Sequence, residues 1–182
     1  MLSMEIIAGT IEEIAGLQPG LFLEHHMVMA VAVLQRIAAS PCDFDVVCEG
    51  FQPVREPFVL RVHWRRRTAR LADKVVRSEQ RKPIVERAAV ALSALLLGKT
   101  VPKASMIVTA QGEHADYWLP EIERALEISG TDGQDILTAR IRSKKKQVSM
   151  NPLGWSGYAV VCCFAKNQPT IRWSEVYHAG TT

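Results

Sequence analysis

Apolar positions recur at two spacings along this chain, every three to four residues in some stretches and every second residue in others. Phe22 to Ala39 has the first spacing, with Phe22, His26, Met29, Val33 and Ile37 near one stripe and Gln35 and Arg36 opposite. A helix is expected there, stopped by Ser40-Pro41. Asp43 to Gly50 and Phe58 to Trp64 read as strands, and Leu60, Val62 and Trp64 alternate with Arg61, His63 and Arg65. An antiparallel pair with one wet face is expected, joined by the Pro-containing segment Gln52 to Pro57. Thr68 to Gln80 reads as a highly charged helix. Ile84 to Gly98 is apolar almost all round after Arg87. That predicts a buried helix with Pro83 in its first turn and Gly98 as its C-terminal cap.

Ser105 to Ala110 reads as a strand, followed by a turn at Gln111-Gly112-Glu113-His114 and a short strand from Asp116 to Leu119. Ala125 to Ser129 is a further strand, closed by Gly130. A helix is expected over Asp132 to Val148, stopped by Asn151-Pro152-Leu153-Gly154. Gly157 to Ala165 is a strongly apolar strand, and Ile171 to Tyr177 a last one after the Asn167-Gln168-Pro169 turn. Residues 1–20 are weakly patterned, end in the turn signal Gln18-Pro19-Gly20, and read as an extended arm. The whole predicts an α+β (α/β) fold with a central mixed sheet flanked by helices. One domain is expected over 1–182, with 1–80 as an N-terminal helix and two-strand extension of the same sheet and 81–182 as the core.

Composition narrows the class without naming a function. The chain is 48% hydrophobic and 23% charged, enough to bury a sizeable core. A net charge of +3 does not by itself argue for nucleic acid, but Arg61 to Arg70 and Arg140 to Lys146 concentrate the positive charge. The start of the chain carries Glu5, Glu12 and Glu13 where a secretory leader would be basic and then apolar, and no apolar run is long enough to span a bilayer. Cys42, Cys48, Cys162 and Cys163 form no C-x-x-C pair, so buried thiols in a reducing cytoplasm are expected rather than a zinc site.

The candidate chemistry lies between Asp116 and Gln147. Asp116 and Glu127 stand on neighbouring strand-like segments, where a hairpin can set them side by side. Leu126 and Ile128 face one layer, so Glu127 faces the other and needs a partner, a metal or water. In the following helix Leu137, Ile141, Lys144 and Val148 fall at i, i+4, i+7 and i+11. This register puts Lys144, out of three consecutive lysines, on the apolar stripe, with Gln147 one turn beyond. Two carboxylates suit Mg²⁺ or Mn²⁺, which keep several waters, and a nearby lysine can orient water or neutralise developing charge.

From Ile84 to Tyr177 the order helix with a glutamate, strand, strand with Asp116, strand with Glu127, helix, strand resembles the PD-(D/E)XK nuclease superfamily. The resemblance implies a restriction-endonuclease-like core acting on nucleic acid phosphodiesters. Asp116 and Glu127 would be the metal ligands, Glu86 the helical glutamate of some branches, and Gln147 the helix glutamine of exonuclease-like branches. Ser129 stands where the family's strand lysine usually stands, and Lys144 would be that lysine moved to the helix. Arg140, Lys145 and Lys146 would hold the nucleic-acid backbone. The run Glu-Ile-Ser-Gly-Thr, the basic helix and Asn-Pro-x-Gly-x-x-Gly-Tyr also resemble uncharacterised bacterial proteins, which adds no biochemical function.

Two other readings stay open. The missing strand lysine fits a catalytically inactive member of the same fold that serves as a binding or assembly subunit. The apolar helix near Ala88 and the apolar C-terminal strands fit a homo-oligomer or protein partner as well as a core. Glu24-His25-His26 offers metal-ligand residue types, but adjacent helical histidines point about 100° apart, whereas binding pairs prefer i, i+4. His114 reads as an exposed turn residue, Trp155 and Tyr158 as core closures, and Cys162-Cys163 as packing on opposite strand faces.

Overall fold

The computed structural model describes residues 4–50, 57–109 and 115–178. Most of the Gln52–Pro57 connection, and the Gln111–His114 turn with its His114, lie outside the described residues. The α+β architecture with a mixed sheet is as the pattern predicts. In chain order the elements are β1 (Ile6–Thr10), a 3-10 turn (Ile11–Glu13), α1 (Ile14–Leu17), α2 (Glu24–Ile37), β2 (Cys42–Glu49) and β3 (Phe58–His63). Next come α3 (Arg66–Ser78), α4 (Arg81–Thr100), β4 (Ile107–Val108), β5 (Tyr117–Leu119), a second 3-10 turn (Pro120–Ile122), β6 (Arg124–Thr131), α5 (Leu137–Ser149), β7 (Gly157–Cys163) and β8 (Thr170–Val176).

One eight-stranded sheet takes in both halves of the chain, in the order β1-β3-β2-β8-β7-β6-β5-β4. The join is the parallel pairing of β2 with β8, which sets Val47 opposite Arg172 and Glu49 opposite Ser174. β2 and β3 pair antiparallel as expected, and Arg61 forks onto Asp43 across the wet face at 2.8 and 2.7 Å. Within the expected N-terminal arm, Ile6–Thr10 is a strand that runs parallel to β3 with Ile7 opposite Leu60, whereas Ile11–Leu17 is helical rather than extended. β7 is buried along its whole length because helices cover both faces there. Tyr158, Val160 and Cys162 join a larger core that includes residues of α2 and α4, whereas Ala159, Val161 and Cys163 meet Leu137, Ile141 and Val148 of α5. Cys162 and Cys163 therefore face opposite layers. The apolar stretch near Ala88 and the C-terminal strands are buried inside the chain.

Several local expectations are corrected. Phe22 precedes α2 and is 81% exposed, outside the apolar stripe. Gly98 does not cap α4 but lies inside it, where a Cβ would sit 2.7 Å from the Leu17 Cβ. Gly130 does not end β6 either. It lets α4 approach closely, because a Cβ there would stand 2.4 Å from the Val85 carbonyl oxygen. α5 starts at Leu137 rather than Asp132, because the Thr131 hydroxyl accepts the Gly133 N–H at 3.2 Å and Gln134 Nε2 donates to the Gln168 carbonyl at 2.6 Å. β4 is shorter than expected and exposed. The residues before it are held instead by buried Gln18, which donates to the Ala104 carbonyl at 3.0 Å and accepts the Met106 N–H at 2.8 Å. Among the described residues no helix is long and apolar enough to cross a membrane.

Candidate functional site

β6 builds the site because its two faces and its open edge carry different chemistry. Leu126 and Ile128 enter the larger core, while Ala125 packs with α5 and Glu127, at the same parity, turns to that side and is only 2% exposed. β5 pairs antiparallel with β6 only from Leu119↔Arg124 to Tyr117↔Leu126, so the edge beyond is free of a strand. Two carboxylates take its place. Asp116 Oδ2 accepts the Ile128 N–H at 2.8 Å, and Glu86 Oε2, from α4, accepts the Gly130 N–H at 2.9 Å. Residues two apart present their N–H groups to the same edge. Both acids thus satisfy strand donors that would otherwise be orphaned.

Lys144 completes the central group. The α5 register predicted from sequence holds, with Leu137, Ile141 and Val148 buried and the Lys144 side chain 18% exposed. Its Nζ lies 3.3 Å from Asp116 Oδ2 and donates to Glu127 Oε2. Burial is the main force on Glu127, and the neighbouring Asp116 charge adds to it. Together they outweigh the help from Lys144 and raise the carboxyl to about 7. For Lys144, burial disfavours the ammonium, but the two carboxylates prevail and hold it above its ordinary value. Asp116 and Glu127 are therefore side by side, and the cation they share is the Lys144 ammonium.

Glu86 sits one step along β6 from this triad. Its Oε1 accepts the Ser129 hydroxyl at 3.4 Å and pairs with Arg140 Nη1 at 3.4 Å, and Arg140 Nη1 also donates to Ser129 Oγ at 3.1 Å. Arg140 was expected on a backbone-binding surface, yet it reaches Ser129 on β6. Glu86 lines two adjoining cavities. One, of about 320 Å³, also takes in Arg87, Val90, Val108, Asp116, Tyr117 and Ile128. The other, of about 270 Å³, includes Arg81, Lys82, Asp132 and Arg140. Gln147 is half-buried one turn past Lys144, and its side chain makes no hydrogen bond among the described residues. Lys145 is bound to Glu49 at 2.5 Å, and Lys146 is exposed.

Sequence reasoning missed Arg87, Glu49 and Arg172. Arg87 faces the Asp116 cavity and is held by Glu79 Oε2 at 3.4 Å and His25 Nε2 at 2.9 Å. Its signal was a charge beside Glu86 in an otherwise apolar helix. His25 and His26 do not converge on one point. His25 Nε2 lies 3.2 Å from Glu79 Oε1, while burial, with Arg87 and His25 nearby, depresses His26. Among the described residues no group of three or more His, Cys, Asp or Glu converges as a metal cage. The aromatic residues beside the helix stop close the structure: Trp118 and Trp155 meet edge to face at 5.7 Å, and Tyr158 packs on Trp173 at 5.5 Å. Comparison of the chain with protein-family models, curated proteins and solved structures returns no match.

Proposed function

We propose that this protein is a divergent, metal-dependent nuclease-like protein that acts on nucleic acid phosphodiesters. The observation that carries the reading is the convergence of Asp116, just before β5, with Glu127 of β6 and Lys144 of α5 beside an open groove. The element order α4, β4, β5, β6, α5, β7 supports it, being the order the PD-(D/E)XK resemblance implies. The donor set also suits a hard divalent cation. Asp116 and Glu127 are two adjacent carboxylates, Asp116 is 41% exposed toward the groove, and Mg²⁺ or Mn²⁺ takes its remaining ligands from water and phosphate. When bound, such an ion would polarise the phosphate and lower the pKa of a water.

The chain's own residues would do the rest. Glu127, buried and raised to about 7 in the metal-free fold, would give up its proton to bind the ion, so metal binding is expected to strengthen as pH rises through neutrality. Lys144 would orient water or neutralise charge on the phosphate, a role in which a preorganised cation is effective. Glu86 fixes Arg140 at Ser129, so two α5 cations stand in for the single strand lysine. Gln147 would steady the mouth of the site, and exposed Lys146 would meet the substrate backbone. The buried thiols suit a reducing cytoplasm.

A second reading has its own support. Lys144 already pairs with both carboxylates, as it would in a catalytically inactive subunit of an assembly. Labelled DNA and RNA incubated with a Mg²⁺ or Mn²⁺ titration separate the two. Metal-dependent cleavage lost in Asp116→Ala and Glu127→Ala supports hydrolysis. Cleavage unchanged in those variants refutes this site, and a partner-dependent complex without metal binding favours the assembly role.

A further inference from the structure

On the other flank of α5, Thr138, Ile141, Arg142 and Lys145 fall at i, i+3, i+4 and i+7 and line a cavity of about 210 Å³ with Glu49 and Arg172. Its walls come from α5, β2 and β8, which meet only because β2 runs parallel to β8. Glu49 organises the cavity. Its carboxylate binds Lys145 Nζ at 2.5 Å, accepts the Ser174 hydroxyl at 3.1 Å and pairs with Arg172 Nη2. Lys145 foremost, with Arg172 and Ser174, holds the Glu49 carboxyl down to about 2 against the opposing effect of burial, so it is ionised at any working pH.

The charges do not balance. Three cations share the cavity with one carboxylate, and Arg142 has no ion pair or side-chain hydrogen bond among the described residues. Lys145 has three donors and a guanidinium five, so most of the donors on Lys145, Arg172 and Arg142 remain uncommitted beside the Thr138 hydroxyl. A concave site with this surplus and this many N–H groups matches a doubly charged oxyanion with several acceptor oxygens.

We infer that the cavity between α5 and the β2–β8 pair binds a phosphate group, carried either by a polynucleotide or by a small phosphorylated molecule. Glu49 is the positioning residue that holds Lys145 and Arg172 in place, and Arg142 closes on the ligand from the open side. The site gives Lys145 a specific role and stands whether or not the Asp116–Glu127–Lys144 group cleaves anything.

The test is binding of inorganic phosphate, pyrophosphate and a fluorescent 5′-phosphorylated oligonucleotide to the full chain in low-salt, chelator-containing buffer. Calorimetry reads the small anions and anisotropy the oligonucleotide. Saturable binding is expected, weakened about tenfold or more by Arg142→Glu, since each charge-assisted contact is worth at least that factor. Arg142 is exposed and makes no side-chain hydrogen bond or ion pair among the described residues, and a Lys145→Ala variant checked for an unchanged melting curve gives a second reading. If the oligonucleotide outbinds pyrophosphate and responds to Arg142→Glu, the phosphate belongs to a polynucleotide. If pyrophosphate binds as well or better with the same response, it belongs to a small molecule. No saturable binding of any probe, or binding that neither variant weakens, overturns the inference. Asp116→Ala is expected to leave this binding intact, so loss of cleavage and loss of phosphate binding are read independently.

Discussion

Replacing Lys144 by alanine removes the ammonium that Asp116 and Glu127 share, and the effect on stability depends on pH in a defined direction. The Glu127 carboxyl ordinarily titrates at 4.5 and is raised to about 7 in the fold. The folded protein therefore holds a proton that the unfolded chain releases, and stability present below about 4.5 is lost as pH rises through 7. At about 1.4 kcal/mol per pH unit, burying this group costs roughly 3 kcal/mol at pH 8. A Glu127 that stayed protonated whatever its neighbours would cost about 5 kcal/mol at pH 8, because the unfolded chain alone would gain from ionising. Loss of Lys144 can thus add only about 1–2 kcal/mol at pH 8 through Glu127, and almost nothing at pH 5, where the carboxyl is protonated in both proteins. Lys144 itself is raised, so its own contribution is complete throughout this window. A further loss of about 1 kcal/mol, independent of pH, is expected from the half-exposed Asp116 pair. Urea unfolding at pH 5 and pH 8 with chelator present measures both parts. Lys144→Ala should cost more at pH 8 than at pH 5, and in a Glu127→Gln background the two costs should become equal. Equal costs in the wild-type background, or a larger cost at pH 5, would refute the argument that Lys144 sustains the Glu127 charge.

Gly130→Ala is expected to destabilise by about 1–3 kcal/mol in the same assay, because the new Cβ meets the Val85 carbonyl rather than a side chain that can rotate away. Gln18→Ala should cost about 1–3 kcal/mol, since it leaves the Ala104 carbonyl and the Met106 N–H without their partner, and faster hydrogen exchange at Met106 would locate the loss. Burial raises the Cys42 and Cys162 thiols to about 11 and about 12. Ellman's reagent at neutral pH should therefore label them only after unfolding, and rapid labelling of the native protein would contradict their burial.

The sequence by itself determined most of the elements and the outline of the site. Alternation in β6 is a local property, so it already told that Glu127 turns away from Leu126 and Ile128. Helical register is local too, and it singled out Lys144 from Lys145 and Lys146. Local periodicity reports which face of an element is apolar, but not which neighbour covers it. Tertiary structure alone decided that β1 pairs with β3 and that β2 lies beside β8, which brings Glu49 from the N-terminal half to Lys145 and Arg172. Gly98, read as a helix cap, and Gly130, read as the end of a strand, both serve close packing, a fact set by Leu17 and Val85 across the interface. Glu86 and Asp116 both reach the open edge of β6 because β5 covers that strand only from Arg124 to Leu126, and Arg140 reaches Ser129 only because α5 lies over that strand. Those contacts join residues far apart in the chain, and their partners are chosen by sheet order and layer packing, which no single stretch of sequence encodes.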